Sequence, residues 1–265
     1  MSGHFDVIIG AALGIVVIMV ATWVLSLFLG NASIVDIVWG AGFVVVAWIS
    51  RIIGDGNSDR LDLLTAMVTI WGLRLALYLF WRNRGEEEDY RYQSMRRRQG
   101  ASFPVRSLIT VFGFQGLVMF IVSLPVQLAA TPATPDIGWV GVVGVVIWGT
   151  GLFFETVGDA QLTRFKADPA NAGTVMDRGL WRYTRHPNYF GDFCVWWGIF
   201  LVAAETTDAR FGVVGPLLMS FMLLRVSGVA MLERGLMKRR DGYADYVART
   251  ATFFPRPPRS PAADG

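Results

Sequence analysis

GLWRYTRHPNYFGDFCVWWGIFLVAA, residues Gly179–Ala204, changes character at its middle. Through Asp192 it carries Trp181, Arg182, Tyr183, Arg185, His186, Asn188 and Tyr189; from Phe193 onward it is apolar. The second half belongs in hydrocarbon and the first half at the mouth of that helix. This span is short, so it is expected to start inside the protein rather than against lipid.

The rest of the chain agrees. Of 265 residues, 53% are hydrophobic and 17% charged, where a soluble domain carries about 25% charge. Mean hydropathy is +0.44. The charges come in blocks, separated by apolar stretches of roughly 20 residues, enough to cross a hydrocarbon core about 30 Å thick. In lipid the backbone must satisfy its own hydrogen bonds, which favours helices. The expected fold class is therefore all-α, a polytopic membrane bundle of about seven transmembrane helices. The spans are read at 6–28, 33–51, 63–81, 107–128, 138–158, 189–204 and 211–231. A single domain is expected over 1–255, with a disordered Pro-rich tail over 256–265.

The net charge of +3 does not argue for nucleic acid, because the basic residues sit between spans. Segment 82–106 holds Arg82, Arg84, Arg91, Arg96, Arg97, Arg98 and Arg106, and segment 159–188 holds Arg164, Lys166, Arg178, Arg182 and Arg185. The tail is also basic, whereas the alternate connections hold only Arg51, Arg60 and Arg210. The positive-inside rule puts the N-terminus outside and the C-terminus in the cytosol. The expected address is the inner membrane of a bacterium. The first apolar run has no Lys or Arg before it, so it reads as a retained helix rather than a cleaved signal. The lone Cys194 excludes an intrachain disulfide, and no metal site is expected. Glycines 138, 141, 144, 149 and 151 are assigned to close helix packing. There is no Walker loop and no GxGxxG after a strand.

Ionisable residues inside a membrane are costly and mark function by default. Asp36, Arg74, Glu155, Asp159, Asp192, Arg225 and Glu233 all fall in the half assigned to the cytosol. Asp159, Asn188, Asp192 and Arg225 are read as one polar cavity. Nearby Arg and Lys suit phosphate oxygens, and Tyr183, Tyr189, Trp181 and Trp196 offer flat faces for a ring. His186-Pro187 is expected to break the helix before Asn188. A phosphorylated cofactor entering from the cytosol fits that set.

The run RYTRHPNYFGD, Arg182–Asp192, resembles the C-terminal signature of the steroid 5α-reductase superfamily, including its bacterial branch, domain of unknown function 1295. Asp159 stands 29 residues before Asn188, as the matching pair does in that family. Asn83-Arg84-Gly85, Gln115-Gly116, and the tail series Arg225, Tyr243, Tyr246, Arg249 and Pro255 also follow its pattern. The resemblance implies a seven-helix enzyme that binds NADPH and passes a hydride to a carbon–carbon double bond of a lipid entering from the bilayer. It implies cofactor contacts at Asn83, Arg84, Asp159, Asn188, Asp192, Arg225, Tyr246 and Arg249. Lys166, Arg182, His186, Tyr189 and Tyr243 complete the expected cofactor set, which falls within 83–255; the substrate-facing part is expected at about 30–82.

At the substrate end the pattern changes. Steroid 5α-reductases hold an enone oxygen with a Gln-Glu pair and a Tyr; the matching positions here are Val35-Asp36 and Trp71-Gly72. Asp36 is left as the candidate proton donor, with Arg74 as the cation opposing that role, and Trp39, Trp71, Arg74 and Gln115 as lining. The lipid is therefore expected to be a steroid-like, isoprenoid or unsaturated acyl molecule rather than a steroid hormone. Two other readings stand beside this one. Isoprenylcysteine and phospholipid methyltransferases, which use S-adenosylmethionine, carry a similar Arg-His-Pro-x-Tyr run followed by a Glu and a Tyr-x-x-Tyr-like tail, here Arg185–Tyr189, Glu233 and Tyr243/Tyr246. A non-catalytic lipid-binding protein on an old fold is the other.

Overall fold

The computed structural model describes residues 2–56, 58–130, 136–226, 229, 233 and 242–259. The end of the seventh expected span, the basic residues Arg234, Lys238, Arg239 and Arg240, and the tail from 260 lie outside the described residues. The described chain is helical. Its elements are α1 (Ser2–Leu29), α2 (Ile34–Ile53), α3 (Ser58–Asn83), α4 (Tyr90–Val122), α5 (Leu124–Ala129), α6 (Trp139–Ala167), α7 (Pro187–Ala203), α8 (Asp208–Val226) and α9 (Tyr243–Arg249). Six of them, α1, α2, α3, α4, α6 and α8, are long and apolar enough to cross a membrane. At 17 residues α7 is the short one.

The chain divides into two compact units, 1–143 with 199–215, and 144–198 with 216–265. In the first unit, α1 buries Val7, Ala11, Ile15 and Met19, four residues apart and so on one face, while Leu13, Val16 and Val17 stay exposed. In an aqueous protein that outer face would be a liability; against lipid it is the solvated face. Gly30, at φ +63°, ends α1, and the Asn31 N–H donates back to the Ser26 carbonyl at 3.1 Å, a closure that wants a residue without Cβ at the left-handed position.

Helices α2 and α3 touch backbone to backbone. A Cβ on Gly40 would run into the carbonyl of Gly72, and one on Gly72 would meet Gly40 O at 2.5 Å. Small residues at such crossings let dispersion contacts replace a hydrophobic drive that lipid does not provide. Trp71 sits beside this crossing with no exposed surface, edge-on to Phe43 at 5.6 Å. The expected lining residue is thus fully buried at the α2–α3 crossing.

The glycines of α6 divide by task. Gly144 lies against Gly198 and Gly151 against Gly191, both at the α6–α7 crossing of the second unit. Gly149 has open space beside it. Gly138 and Gly141 act differently from expectation. Their N–H groups donate to Glu205 at 2.9 and 2.8 Å, and Glu205 also receives Arg60 at 2.8 Å. A carboxylate at a helix N-terminus meets donors and a favourable dipole, and here it also neutralises a fully buried guanidinium. Burial pushes the Glu205 carboxyl up, but the two N–H groups and Arg60 outweigh that and hold it below the usual range.

Replacing Gly72 by Val is expected to force α2 and α3 apart at a cost of about 3 kcal/mol, read as a lower thermal midpoint in detergent. Gly149→Ala, in open space, is expected to leave that midpoint unchanged or slightly raised.

Candidate functional site

Asp36 occupies the first turn of α2. The loop after α3 brings its partners. Gly85, at φ +84°, turns the chain after Asn83-Arg84, and Asp89 caps the next helix by accepting from the Arg91 N–H at 2.9 Å. That cap starts α4 with Arg91 and Tyr92 on its first turn. The Arg91 guanidinium donates to Asp36 Oδ2 at 2.7 Å and to Asp89 Oδ1 at 2.9 Å. Tyr92 Oη donates to Asp36 Oδ1 at 2.7 Å, and Gln115 Nε2 donates to Tyr92 Oη at 3.0 Å. A π-helical turn at Leu108–Gly113 precedes Gln115; its wider winding rotates every later residue of α4 and presents Gln115 to the phenol.

Further bonds clasp the same corner. Glu88 accepts from the Ala32 N–H at 2.7 Å and from Arg96 at 2.8 Å. The Asp89 N–H donates to Ser33 Oγ at 2.7 Å. Burial raises the Asp89 carboxyl, but Arg91 bonds hold it below its usual range.

This arrangement revises the sequence reading in two ways. The cation on Asp36 is Arg91, from the following helix, rather than Arg74. The acid also has a phenol after all, supplied by Tyr92 rather than from the position of Trp71. Asp36 is met on both oxygens, by Arg91 on Oδ2 and by Tyr92 on Oδ1. Arg91 and Tyr92 were missed as site residues. Asp89 before Tyr90-Arg91-Tyr92 is a legible cap signal, but a cap fixes where a helix begins and not what it touches.

The second unit holds the quoted motif. Pro187 is the first residue of α7, a favoured place for a residue without N–H, so it starts a helix instead of breaking one. Arg185 is turned inward. Its guanidinium donates to Glu233 at 2.8 Å, to the Thr250 carbonyl at 2.6 Å and to Thr252 Oγ1 at 2.8 Å. Only 6% of Arg185 is exposed. His186 meets the same Glu233 oxygen at 3.2 Å and stacks on Tyr189 at 5.5 Å. Burial raises the Glu233 carboxyl, but His186 and Arg185 outweigh it and the net shift is downward. Tyr246 Oη donates to the Trp181 carbonyl at 2.5 Å, and Trp181 Nε1 to the Gly158 carbonyl at 3.0 Å. Tyr243 is buried beside Tyr246, its hydroxyl pushed up to about 12 by that burial. His186, Tyr243 and Tyr246, expected on a cofactor, are thus in the packing that holds the motif to the chain end. Arg249 reaches Asp177 at 2.5 Å. Arg256 donates to the Tyr183 carbonyl and Arg259 to that of Arg249, so 256–259 is tethered rather than loose.

The other expected residues of this unit are placed as follows. Asn188 Nδ2 meets Asp159 Oδ1 at 3.4 Å, joining residues 29 apart in sequence. Asp192 follows one turn after Asn188, half-buried. Arg164 and Lys166 end α6, and both are exposed, as are Arg178, Arg182 and Arg225. Arg225 lies on a π-turn, Met222–Val226. Asn83 and Arg84 belong to the first unit, where Asn83 accepts from Arg82 at 3.1 Å and Arg84 is exposed.

The architecture is that of a membrane-type helical protein. The model of the DUF1295 family, described as a protein of unknown function, matches residues 22–250, and the chain belongs to that family. It is 22% identical over 261 residues to an uncharacterized protein of Schizosaccharomyces pombe, covering 88% of this chain and 75% of that one. No solved structure matches it.

Glu233→Gln is expected to loosen the hold on Arg185 and cost on the order of 3 kcal/mol. Limited trypsin digestion reads it as faster cleavage at Arg249 and Arg259, with residues before 183 unaffected.

Proposed function

We propose that this chain is a membrane-embedded, NADPH-dependent reductase that delivers a hydride to a carbon–carbon double bond of a lipid. The observation that carries the reading is the meeting of Asn188 with Asp159 across 29 residues, at the two positions where the motif resembles the steroid 5α-reductase superfamily. In the same unit, the exposed cations Arg164, Lys166, Arg178, Arg182 and Arg225 fit a ligand with several phosphates. Arg182 and Arg225 offer forked donors suited to phosphate oxygens. Asp159 and Asp192 suit ribose hydroxyls, which are donors. NADPH, when bound, supplies the hydride. The protein's part is to hold the ring and the alkene in register and to exclude water. The basic loops favour entry of the dinucleotide from the cytosolic side, and the apolar outer faces favour entry of the lipid from the bilayer.

The methyltransferase reading rested on the Arg185–Tyr189 run, Glu233 and the Tyr243/Tyr246 tail, whose ionisable members nearest one another are Arg185, His186 and Glu233. The structure spends these three on one another and on the chain end, which leaves less for S-adenosylmethionine.

Calorimetric titration into purified protein in detergent tests the proposal, with NADPH, NADH and S-adenosylmethionine in parallel. The expected result is saturable NADPH binding, weakened about 10- to 100-fold by Asn188→Ala, the loss of a hydrogen bond at a charged group. Binding of S-adenosylmethionine without NADPH would reverse the assignment, and binding of neither would favour a non-catalytic lipid-binding protein.

A further inference from the structure

The stretch of α4 that leads into the membrane carries Arg91, Arg96, Arg97, Arg98 and Arg106, and the chain satisfies them unequally. Arg91 is spent on Asp36 and Asp89. Arg96 meets both oxygens of Glu88, donates to the Gly30 carbonyl at 3.1 Å and lies over the Phe103 ring at 4.5 Å. Arg97 reaches Gln93 at 3.4 Å. Arg98 and Arg106 are exposed, and among the described residues neither side chain has a hydrogen bond or an ion pair. The exposed acids of the preceding loop, Glu86 and Glu87, pair with neither of them. Arg98 stands about 200° around the helix from Arg96, and so points away from the Glu88 and Phe103 side.

Two ties set the depth of Arg106. Arg96 meets Gly30 at the end of α1, and Trp23 Nε1, further back on α1, donates to the Pro104 carbonyl at 2.8 Å. From Gly30 back to Trp23 a helix runs about 10 Å. Between these ties α4 bends at Gly100, where φ is +56°. Arg106 follows just beyond Pro104, near the level where α1 turns Val20 and Val24 outward. Its own neighbours Val105 and Ile109 are 72% and 76% exposed. This guanidinium therefore leaves the helix among lipid-facing apolar side chains, where a charge has to be met. The described chain supplies no partner, and the bilayer supplies a phosphate. A long Arg stem carries its head up to the headgroup layer, while Ile109, one turn deeper on the same face, stays against the acyl chains. A straight helix would set Arg98 and Arg106 about 12 Å apart along its axis, a gap that two extended Arg side chains close.

We propose that Arg98 and Arg106 hold the headgroup of an anionic phospholipid of the phosphatidylglycerol class, sharing its phosphate, with an acyl chain along Val105 and Ile109. Forked guanidinium donors suit phosphate oxygens. A choline headgroup brings its own cation to that phosphate, whereas phosphatidylglycerol does not, so net charge makes the choice. The inference goes beyond the reductase reading and does not depend on it, since neither cation belongs to the residues assigned to the cofactor.

The test is native mass spectrometry of delipidated protein in neutral detergent, titrated with phosphatidylglycerol and with phosphatidylcholine of the same acyl chains. The expected result is a first phosphatidylglycerol bound about tenfold or more tighter than phosphatidylcholine. The double variant Arg98→Gln, Arg106→Gln should bring the two lipids to within about twofold. Arg256→Gln with Arg259→Gln removes the same charge from the other unit and should leave the preference in place. Glycerophosphoglycerol, the headgroup without chains, and inorganic phosphate should fail to displace the bound lipid. Equal binding of the two lipids by the wild-type protein overturns the proposal whatever the variants do. So does a preference that survives the first double variant, or one lost equally in the second, which is attraction to net charge alone. Displacement by glycerophosphoglycerol or phosphate would make this a soluble-anion site and overturn it too. Calorimetric titration of NADPH into the first double variant should match the wild type, and a selective loss there would assign the two cations to the cofactor instead. The lipid titration contains no cofactor, so its outcome stands apart from that of the reductase reading.

Discussion

A charge held within a membrane helix has to be met, and the meeting of Asp36 with Arg91 and Tyr92 organises the first unit. To deliver those two side chains, α4 must begin where it does. Asp89 caps that start, and Glu88 and Asp89 tie it to the corner between α1 and α2. The corner itself depends on Gly30 closing α1. A single carboxylate thus sets the demand for a turn, a cap and a helix register. Isolated, it would be one of the most expensive groups the bilayer can hold. Held as it is, it is a charge met by a cation and a phenol at the first turn of α2.

The second unit solves a related problem differently. Its buried guanidinium, Arg185, is surrounded by an acid, two backbone carbonyls and a threonine. Those partners come from the far end of the chain. The motif is therefore stapled to α9 and to the segment after it, while Asn188 and Asp192 are half-buried and the cations Arg164, Lys166, Arg178, Arg182 and Arg225 are exposed. Richness in polar groups thus had two sources within fourteen residues. Some serve packing and some face outward, and burial separates them.

Much of the fold was legible because hydropathy reports solvent. Most expected spans match the observed helices to a few residues, as at 33–51 against Ile34–Ile53, whereas 107–128 is divided at Ser123 between α4 and α5. The differences arise where a helix outlasts its apolar stretch. The expected 138–158 runs on to Ala167, since backbone hydrogen bonds continue through Asp159 and Gln161 without regard to lipid. The expected 107–128 begins instead at Tyr90, because an Arg-rich segment is a good helix former but a poor membrane one. The meeting of Asp159 with Asn188 was legible from their spacing and chemistry in sequence. Arg91 and Tyr92 were hidden because their role comes from a turn and a π-helical register shift. His186 and Tyr246 looked like ligand groups, since composition does not tell an inward side chain from an outward one.

The central claim is that a hydride, rather than a methyl group, leaves this membrane site. Protein in liposomes made from its host's total lipid extract would be given NADPH deuterated at both C4 positions together with S-adenosylmethionine carrying a ¹³C methyl. The extracted lipids would then be read by mass spectrometry. Deuterium bound to carbon in a lipid that has lost one double bond is the predicted result, abolished in Asn188→Ala. A ¹³C methyl in the lipid with no deuterium would contradict it.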